Sequence, residues 1–103
     1  MSLEITRAAL EDLRSIRAYT LETWGSVQEE AYLEGMWRKF GELQANPGMH
    51  RFRNDLFSGC QLAAEGKHVI LFKVAEESLQ IVRVLHSAMD FKGQLGDRLK
   101  AEG

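Results

Sequence analysis

The stretch "WGSVQE", residues 24–29, sets the architecture of the first half of this 103-residue chain. Gly25 suits the end of a helix, because glycine adopts the left-handed backbone conformation without strain. Ser26 and Glu29 match the S-x-x-E capping box with which a new helix begins. Since one helix ends and the next begins within two residues, the pair is predicted to fold back as a helical hairpin.

Apolar residues on both sides of this junction recur at helical spacing. Before the junction, residues 8–24 form an amphipathic pattern that Thr6 is placed to cap, with its apolar positions at Leu10, Leu13, Ile16 and Trp24. After the junction, one apolar face continues up to the turn residues "NPG" at 46–48, with Leu33 and Trp37 beside it and its members at Tyr32, Met36, Phe40 and Leu43.

The pattern changes to period two after Gly59, which predicts strands over residues 60–65, 68–75 and 79–86. A further short strand is predicted at residues 2–6, a loop or a turn of helix at 48–58, and a short helix or frayed tail at 87–103. The predicted strands 68–75 and 79–86 are apolar on both faces, so we expect them in the centre of the sheet. The chain is thus predicted to be one α+β domain, residues 1–103, of order β-α-α-β-β-β. Its N-terminal helical hairpin is expected to pack on a mostly antiparallel sheet.

Composition narrows the classes of function. Hydrophobic residues make up 45% and charged residues 27%, and the net charge of −2 disfavours a nucleic-acid binder that relies on phosphate contacts. The single cysteine and the absence of a secretory signal or a long apolar run predict a cytoplasmic protein. His50 and His68 lack Cys or carboxylate partners at ligand spacing, so neither a metal site nor a cofactor is expected. Cys60 is interpreted as a small core residue rather than a nucleophile.

Five blocks along the chain together resemble the ParE branch of the RelE/ParE toxin superfamily. They are "AALEDLRSIRAYTLETWG" (8–25), "QEEAYLEGMWRKFGELQANPG" (28–48), "RNDL" (53–56), "GKHVILFKV" (66–74) and "IVRVLHSAMD" (81–90). The resemblance implies the toxin of a toxin–antitoxin module that inhibits DNA gyrase by binding. It also implies a ParD-like antitoxin whose C-terminal segment wraps the toxin and whose N-terminal half dimerises and binds DNA. Direct contact of the toxin with nucleic acid or a membrane is not expected.

The related RelE branch cleaves messenger RNA on the ribosome, which requires a proton acceptor, a proton donor and cations for the developing charge. In this chain Met89 stands where that branch places a catalytic arginine, and neither a tyrosine nor a histidine follows His86. A non-enzymatic inhibitor is therefore favoured. A ribosome-dependent endoribonuclease and an inactive relative that only binds its antitoxin are the alternatives. Gln61 and Ala88 stand where many relatives carry basic residues, which weakens any gyrase contact through those positions.

Candidate partner-binding residues gather around "IVRVLHSAMD" and on the hairpin. Period two places Arg83 on the face of Ile81 and Leu85, with His86 on the opposite face. For Arg83, an ion pair with an acid such as Asp90 or Asp55 is favoured over a role as a cation that anchors the antitoxin or the target. For His86, a bond to the backbone at the strand end is favoured over general-base catalysis. The full set of candidates is Arg83, Arg53, His86, Met89, Asp90, Trp24 and Trp37.

Overall fold

The computed structural model describes residues 1–95, so the prediction for the tail can be compared only up to residue 95. The helices are α1 (Arg7–Trp24) and α2 (Ser26–Ala45), followed by a 3₁₀ turn (Pro47–Met49). The strands are β1 (Ser2–Ile5), β2 (Arg51–Phe52), β3 (Gln61–Glu65), β4 (His68–Ala75) and β5 (Ser78–His86). Residues 91–95 form a short helix. Within the described range, no helix combines the length and apolar character needed to cross a bilayer.

The five strands form one sheet in the order β1-β5-β4-β3-β2. Only β1 and β5 run parallel, and the other neighbours are antiparallel. The α+β class and the mostly antiparallel sheet are as predicted, with β4 and β5 in the interior. The segment 48–58 differs from the prediction, because it contains β2, an edge strand of two residues. A strand this short has no period to detect.

The hairpin forms at the predicted junction, but the start of α2 is capped differently from the prediction. Thr6 caps α1 by accepting the Ala9 N–H at 3.1 Å, as predicted. Gly25 has a φ of 91°, which glycine adopts readily. The capping box is wrong, since no side chain caps α2. Glu29 is instead buried and accepts a hydrogen bond of 2.8 Å from Arg17 Nε, which joins the two helices.

The sheet buries apolar side chains on both faces. The helix-side core lies between the hairpin and the sheet and contains Ala9, Leu13, Ile16, Met36, Phe40, Leu43, Ala63, Ile70, Phe72, Leu79, Ile81 and Val84. The second core lies on the opposite face and contains Leu56, Cys60, Val69, Leu71, Leu85 and Leu95. Residues 53–60 and the helix at 91–95 supply part of this second core, so the chain covers both faces of its own sheet.

A β-bulge in β5 alters which face each residue occupies. The register is irregular between Leu71 and Phe72, with Phe72 opposite Ile81 and Leu71 opposite Arg83, so that Val82 is the extra residue. Ile81 therefore lies in the helix-side core while Leu85 lies in the second core. The prediction that Arg83 shares a face with both Ile81 and Leu85 is wrong for Ile81, because the bulge interrupts the alternation.

Candidate functional site

Arg83, the central residue of the candidate site, is buried and paired with an acid on α1. Its Nε lies 2.7 Å from Asp12 Oδ2, and its Nη2 lies 2.8 Å from Asp12 Oδ1. The side chains are only 6% and 12% exposed, respectively. The predicted ion pair therefore exists, but the predicted partners Asp90 and Asp55 are wrong. Arg83 Nη1 also donates to the Gln94 carbonyl at 3.4 Å, which links β5 to the C-terminal helix.

Asp12 is able to reach β5 because β1, the strand beside β5, is short. This strand ends opposite Ile81, so the edge of β5 beyond that residue has no neighbouring strand. Thr6 Oγ1 donates to the Val82 carbonyl at 2.8 Å, and Asp12 Oδ2 accepts the Val84 N–H at 2.9 Å. The start of α1 thus replaces strand pairing at this edge, and it satisfies backbone groups that burial would otherwise leave unpaired.

Arg53 belongs to a second, more exposed ion pair. Its Nε and Nη2 each lie 2.8 Å from an oxygen of Asp55, and Lys92 Nζ lies 3.8 Å from the same carboxylate. The hydrogen bond to Asp55 raises the pKa of Arg53, and the hydrogen bond from Arg53 lowers the pKa of Asp55 to about 2. This cluster connects the loop after β2 to the short helix at 91–95.

His86 bonds to the backbone where β5 ends, as predicted, since its Nδ1 accepts the Ala88 N–H at 3.1 Å. Its ring contacts that of His68, its direct partner on β4, at a centroid distance of 5.6 Å. The Tyr32 hydroxyl lies 2.5 Å from His68 Nδ1 and donates to the Glu65 carbonyl at 2.9 Å. Burial, followed by the proximity of His86, lowers the pKa of His68, and burial raises the pKa of Tyr32.

This aromatic cluster was missed in the sequence. The sequence patterns relate His68 to metal binding and Tyr32 to the apolar face of α2, and neither relation indicates that the two side chains are in contact. The two histidines lie opposite each other only because the bulge at Val82 shifts the β4–β5 register by one residue, so no local pattern in the sequence indicated this pair. Cys60 is buried, and burial raises the pKa of its thiol to about 11, so it is a core residue as expected. Among residues 1–95, no group of three or more His, Cys, Asp or Glu is arranged to hold a metal ion.

The remaining four candidates are exposed. Trp24 lies at the end of α1 and is 65% exposed. Trp37 on α2 is 48% exposed, and its ring packs edge-on against that of the buried Phe40 at 5.3 Å between centroids. Met89 and Asp90 lie in the turn after β5 and are also exposed. The structure therefore separates the seven candidates into two groups. Arg83, Arg53 and His86 are engaged in internal contacts, whereas these four are accessible to a partner.

The fold places the chain in a known class of small α+β proteins, in which a helical hairpin packs on a five-stranded sheet. A chain of the chromosomal ParDE toxin–antitoxin system from P. aeruginosa superposes with a TM-score of 0.72 at 22% identity, covering 84% of this chain and 95% of that one. A chain of the RelBE2 toxin–antitoxin complex from Mycobacterium tuberculosis superposes with a TM-score of 0.57 at 24% identity, covering 82% and 95%. At these identities the two likenesses establish the fold.

Sequence comparison identifies the family. Residues 3–91 match the model of the ParE toxin of the type II toxin–antitoxin system parDE. Toxin ParE of Escherichia coli is 33% identical over 97 residues, which cover 93% of this chain and 94% of that protein. Toxin ParE1 of Caulobacter vibrioides is 30% identical over 92 residues, covering 89% and 95%. The chain belongs to the ParE toxin family of type II toxin–antitoxin systems.

Proposed function

We propose that this toxin inhibits DNA gyrase by stoichiometric binding in the cytoplasm and that a ParD-like antitoxin neutralises it. Membership of the ParE family supports the proposal. The structural observation that carries it is the ion pair between Arg83 and Asp12. Through this pair, the arginine of the stretch "IVRVLHSAMD" stabilises the fold. An arginine held at two points inside the protein is poorly placed to stabilise charge on a substrate.

His86 and Tyr32, two further groups suited to acid–base chemistry, are also engaged. RNA cleavage through a ribose 2′-hydroxyl needs an acceptor and a donor that face the substrate. The Nδ1 of His86 accepts a backbone N–H, and the Tyr32 hydroxyl contacts both His68 and the Glu65 carbonyl. Met89 is exposed where the ribonuclease branch places a cation. These contacts favour inhibition by binding over the endoribonuclease alternative.

For the antitoxin, we propose contacts at Trp37 and at the turn that contains Met89 and Asp90. Trp37 has the features of an interface anchor, because its ring is supported by Phe40 and still presents about half of its surface. An extended antitoxin segment that wraps the toxin is able to visit separate exposed positions of this kind. Two solved structures that share this fold come from toxin–antitoxin systems, which is consistent with such a partner.

Induction of the toxin alone, and then together with the protein encoded immediately upstream, tests this proposal. We expect growth arrest with DNA-damage signalling, uncut messenger RNA at ribosomal A sites, and recovery of growth on co-expression. Cut messages at A sites without DNA-damage signalling would instead establish the endoribonuclease. Normal growth at full expression of folded toxin would establish an inactive relative.

A further inference from the structure

The end of the helical hairpin extends beyond the core of the protein. In the eight residues 21–28, here called the hairpin tip, not one side chain is buried. The tip nevertheless contains Leu21, Trp24 and Val27, which are 46%, 65% and 81% exposed. Large apolar side chains that cluster on a surface without a role in the core often mark an interaction site. Folding of this domain therefore gives no reason for an apolar tip.

The backbone of the tip is held in one conformation although its side chains are free. The Gly25 N–H donates to the Leu21 carbonyl at 3.0 Å, and the Glu29 N–H donates to the Gly25 carbonyl at 3.0 Å. The ion pair of Arg17 and Glu29, at 2.8 Å, joins the two helices beside the tip. A pre-formed surface loses little conformational entropy when it binds. The tip is thus suited to enter a pocket without rearrangement.

The charge around the tip selects the type of partner. Residues 17–34 contain one arginine and four glutamates. Arg17 and Glu29 pair with each other, and the exposed acids that remain are Glu22, Glu30 and Glu34. These carboxylates repel nucleic acid and anionic lipid. They attract a protein surface that is rich in lysine and arginine, such as the surface with which an enzyme grips DNA phosphates.

We propose that the hairpin tip is the target-contacting surface of this toxin, and that Trp24 and Val27 enter an apolar pocket bordered by basic residues on the DNA-binding face of gyrase. The acids guide the encounter, and the tryptophan supplies most of the affinity, as aromatic anchors do in protein interfaces. This inference rests on the proposed function for the identity of the target. It separates the target surface from the antitoxin contacts proposed at Trp37, Met89 and Asp90.

Supercoiling by purified gyrase, titrated with toxin variants, tests the inference. We expect the double variants Trp24→Ser/Val27→Ser and Glu22→Lys/Glu30→Lys each to need at least about tenfold more toxin for half-inhibition. The matched controls are Phe52→Ser and Glu76→Lys/Glu77→Lys, which change exposed aromatic and acidic residues far along the chain from the tip. Both controls should inhibit as the unmodified toxin does. Added duplex DNA and added salt should each weaken inhibition by the unmodified toxin.

Affinity for the upstream-encoded antitoxin, measured on the same samples, shows whether each variant is folded. We expect the tip variants to keep this affinity to within about threefold while they lose inhibition. Equal inhibition by tip variants and controls would overturn the inference and leave gyrase as the target. Tip variants that lose antitoxin binding but still inhibit gyrase would also overturn the inference and leave gyrase as the target. If the unmodified toxin leaves supercoiling unchanged, the proposed function itself fails, and the target assigned here fails with it.

Discussion

Asp12 and Arg83, which are 71 positions apart in the chain, form a two-point ion pair at the edge of β5. The same carboxylate also accepts the backbone N–H of Val84. A single acid on α1 therefore neutralises a buried cation and completes the hydrogen bonding of a strand edge. This relationship assigns Arg83 to folding, although its position in a string of polar residues resembles that of a catalytic group.

Replacement of Arg83 tests that assignment. In Arg83→Ala the Asp12 carboxylate remains buried without its cation, so we expect the free energy of unfolding to fall by about 3–5 kcal/mol. Urea denaturation followed by circular dichroism measures the change. The control Glu42→Ala breaks the partly exposed pair of Lys39 and Glu42, whose charged atoms are 3.6 Å apart, and should lower stability by less than about 0.5 kcal/mol. Similar losses in both variants would show that the Asp12–Arg83 pair contributes little.

Gly66 provides a test of the aromatic cluster of Tyr32, His68 and His86. Its φ is +58°, and a Cβ at this position would lie 2.7 Å from Tyr32 Cε1. Gly66→Ala combines backbone strain with a steric clash, so we expect a loss of about 1–3 kcal/mol in thermal or urea unfolding. Gly48→Ala is the control, since a Cβ there meets nothing within 4 Å. If Gly66→Ala were as stable as Gly48→Ala, the packing of Tyr32 over this turn would be refuted.

The lowered pKa of His68 predicts how stability depends on pH. Burial and the neighbouring His86 favour the neutral form of His68, so in the folded state this imidazole loses its proton at a pH below the ordinary histidine pKa of 6.5. The unfolded chain then binds more protons, and stability falls as pH decreases from 6.5 through the folded-state pKa. Urea midpoints between about pH 5 and pH 8 should show this decrease, and His68→Gln should reduce it. An unchanged pH profile in His68→Gln would assign the dependence to other groups.

Trp37 tests the proposed antitoxin contact. Its ring lies at the surface of α2, so Trp37→Ala should weaken binding of the upstream-encoded antitoxin by at least about tenfold. Isothermal titration calorimetry measures the affinity, and the melting temperature checks that the fold is retained. Val74→Ala, which shortens another exposed apolar side chain, is the control. Antitoxin binding that is unaffected in a folded Trp37→Ala variant would remove this residue from the interface.

Local sequence patterns predicted the two helices and the longer strands because their causes are local. Gly25 marked the helix junction, and the apolar residues of β4 and β5 marked interior strands. The bulge at Val82 was not predictable in this way, since the register of the neighbouring strand determines it. It moved Ile81 away from the face that simple alternation gives.

The candidate site was predicted less well, because its contacts are distant in sequence. Asp12 lies among the polar residues of an amphipathic helix, and nothing near it in the chain indicates Arg83 as its partner. Glu29 matched a capping motif but pairs with Arg17 once the helices lie side by side. The motif specifies the residue types, whereas the packing of α1 against α2 determines which hydrogen bond forms.

The central claim, inhibition of gyrase by binding, is tested most directly by titration of purified toxin into a supercoiling assay at two gyrase concentrations. For a stoichiometric inhibitor, the toxin needed for half-inhibition rises in proportion to the gyrase present, and the upstream-encoded antitoxin restores supercoiling at one equivalent of toxin. We predict both results, with messenger RNA left intact on ribosomes. Unchanged supercoiling in the presence of excess folded toxin, together with cleaved messenger RNA, would contradict the account.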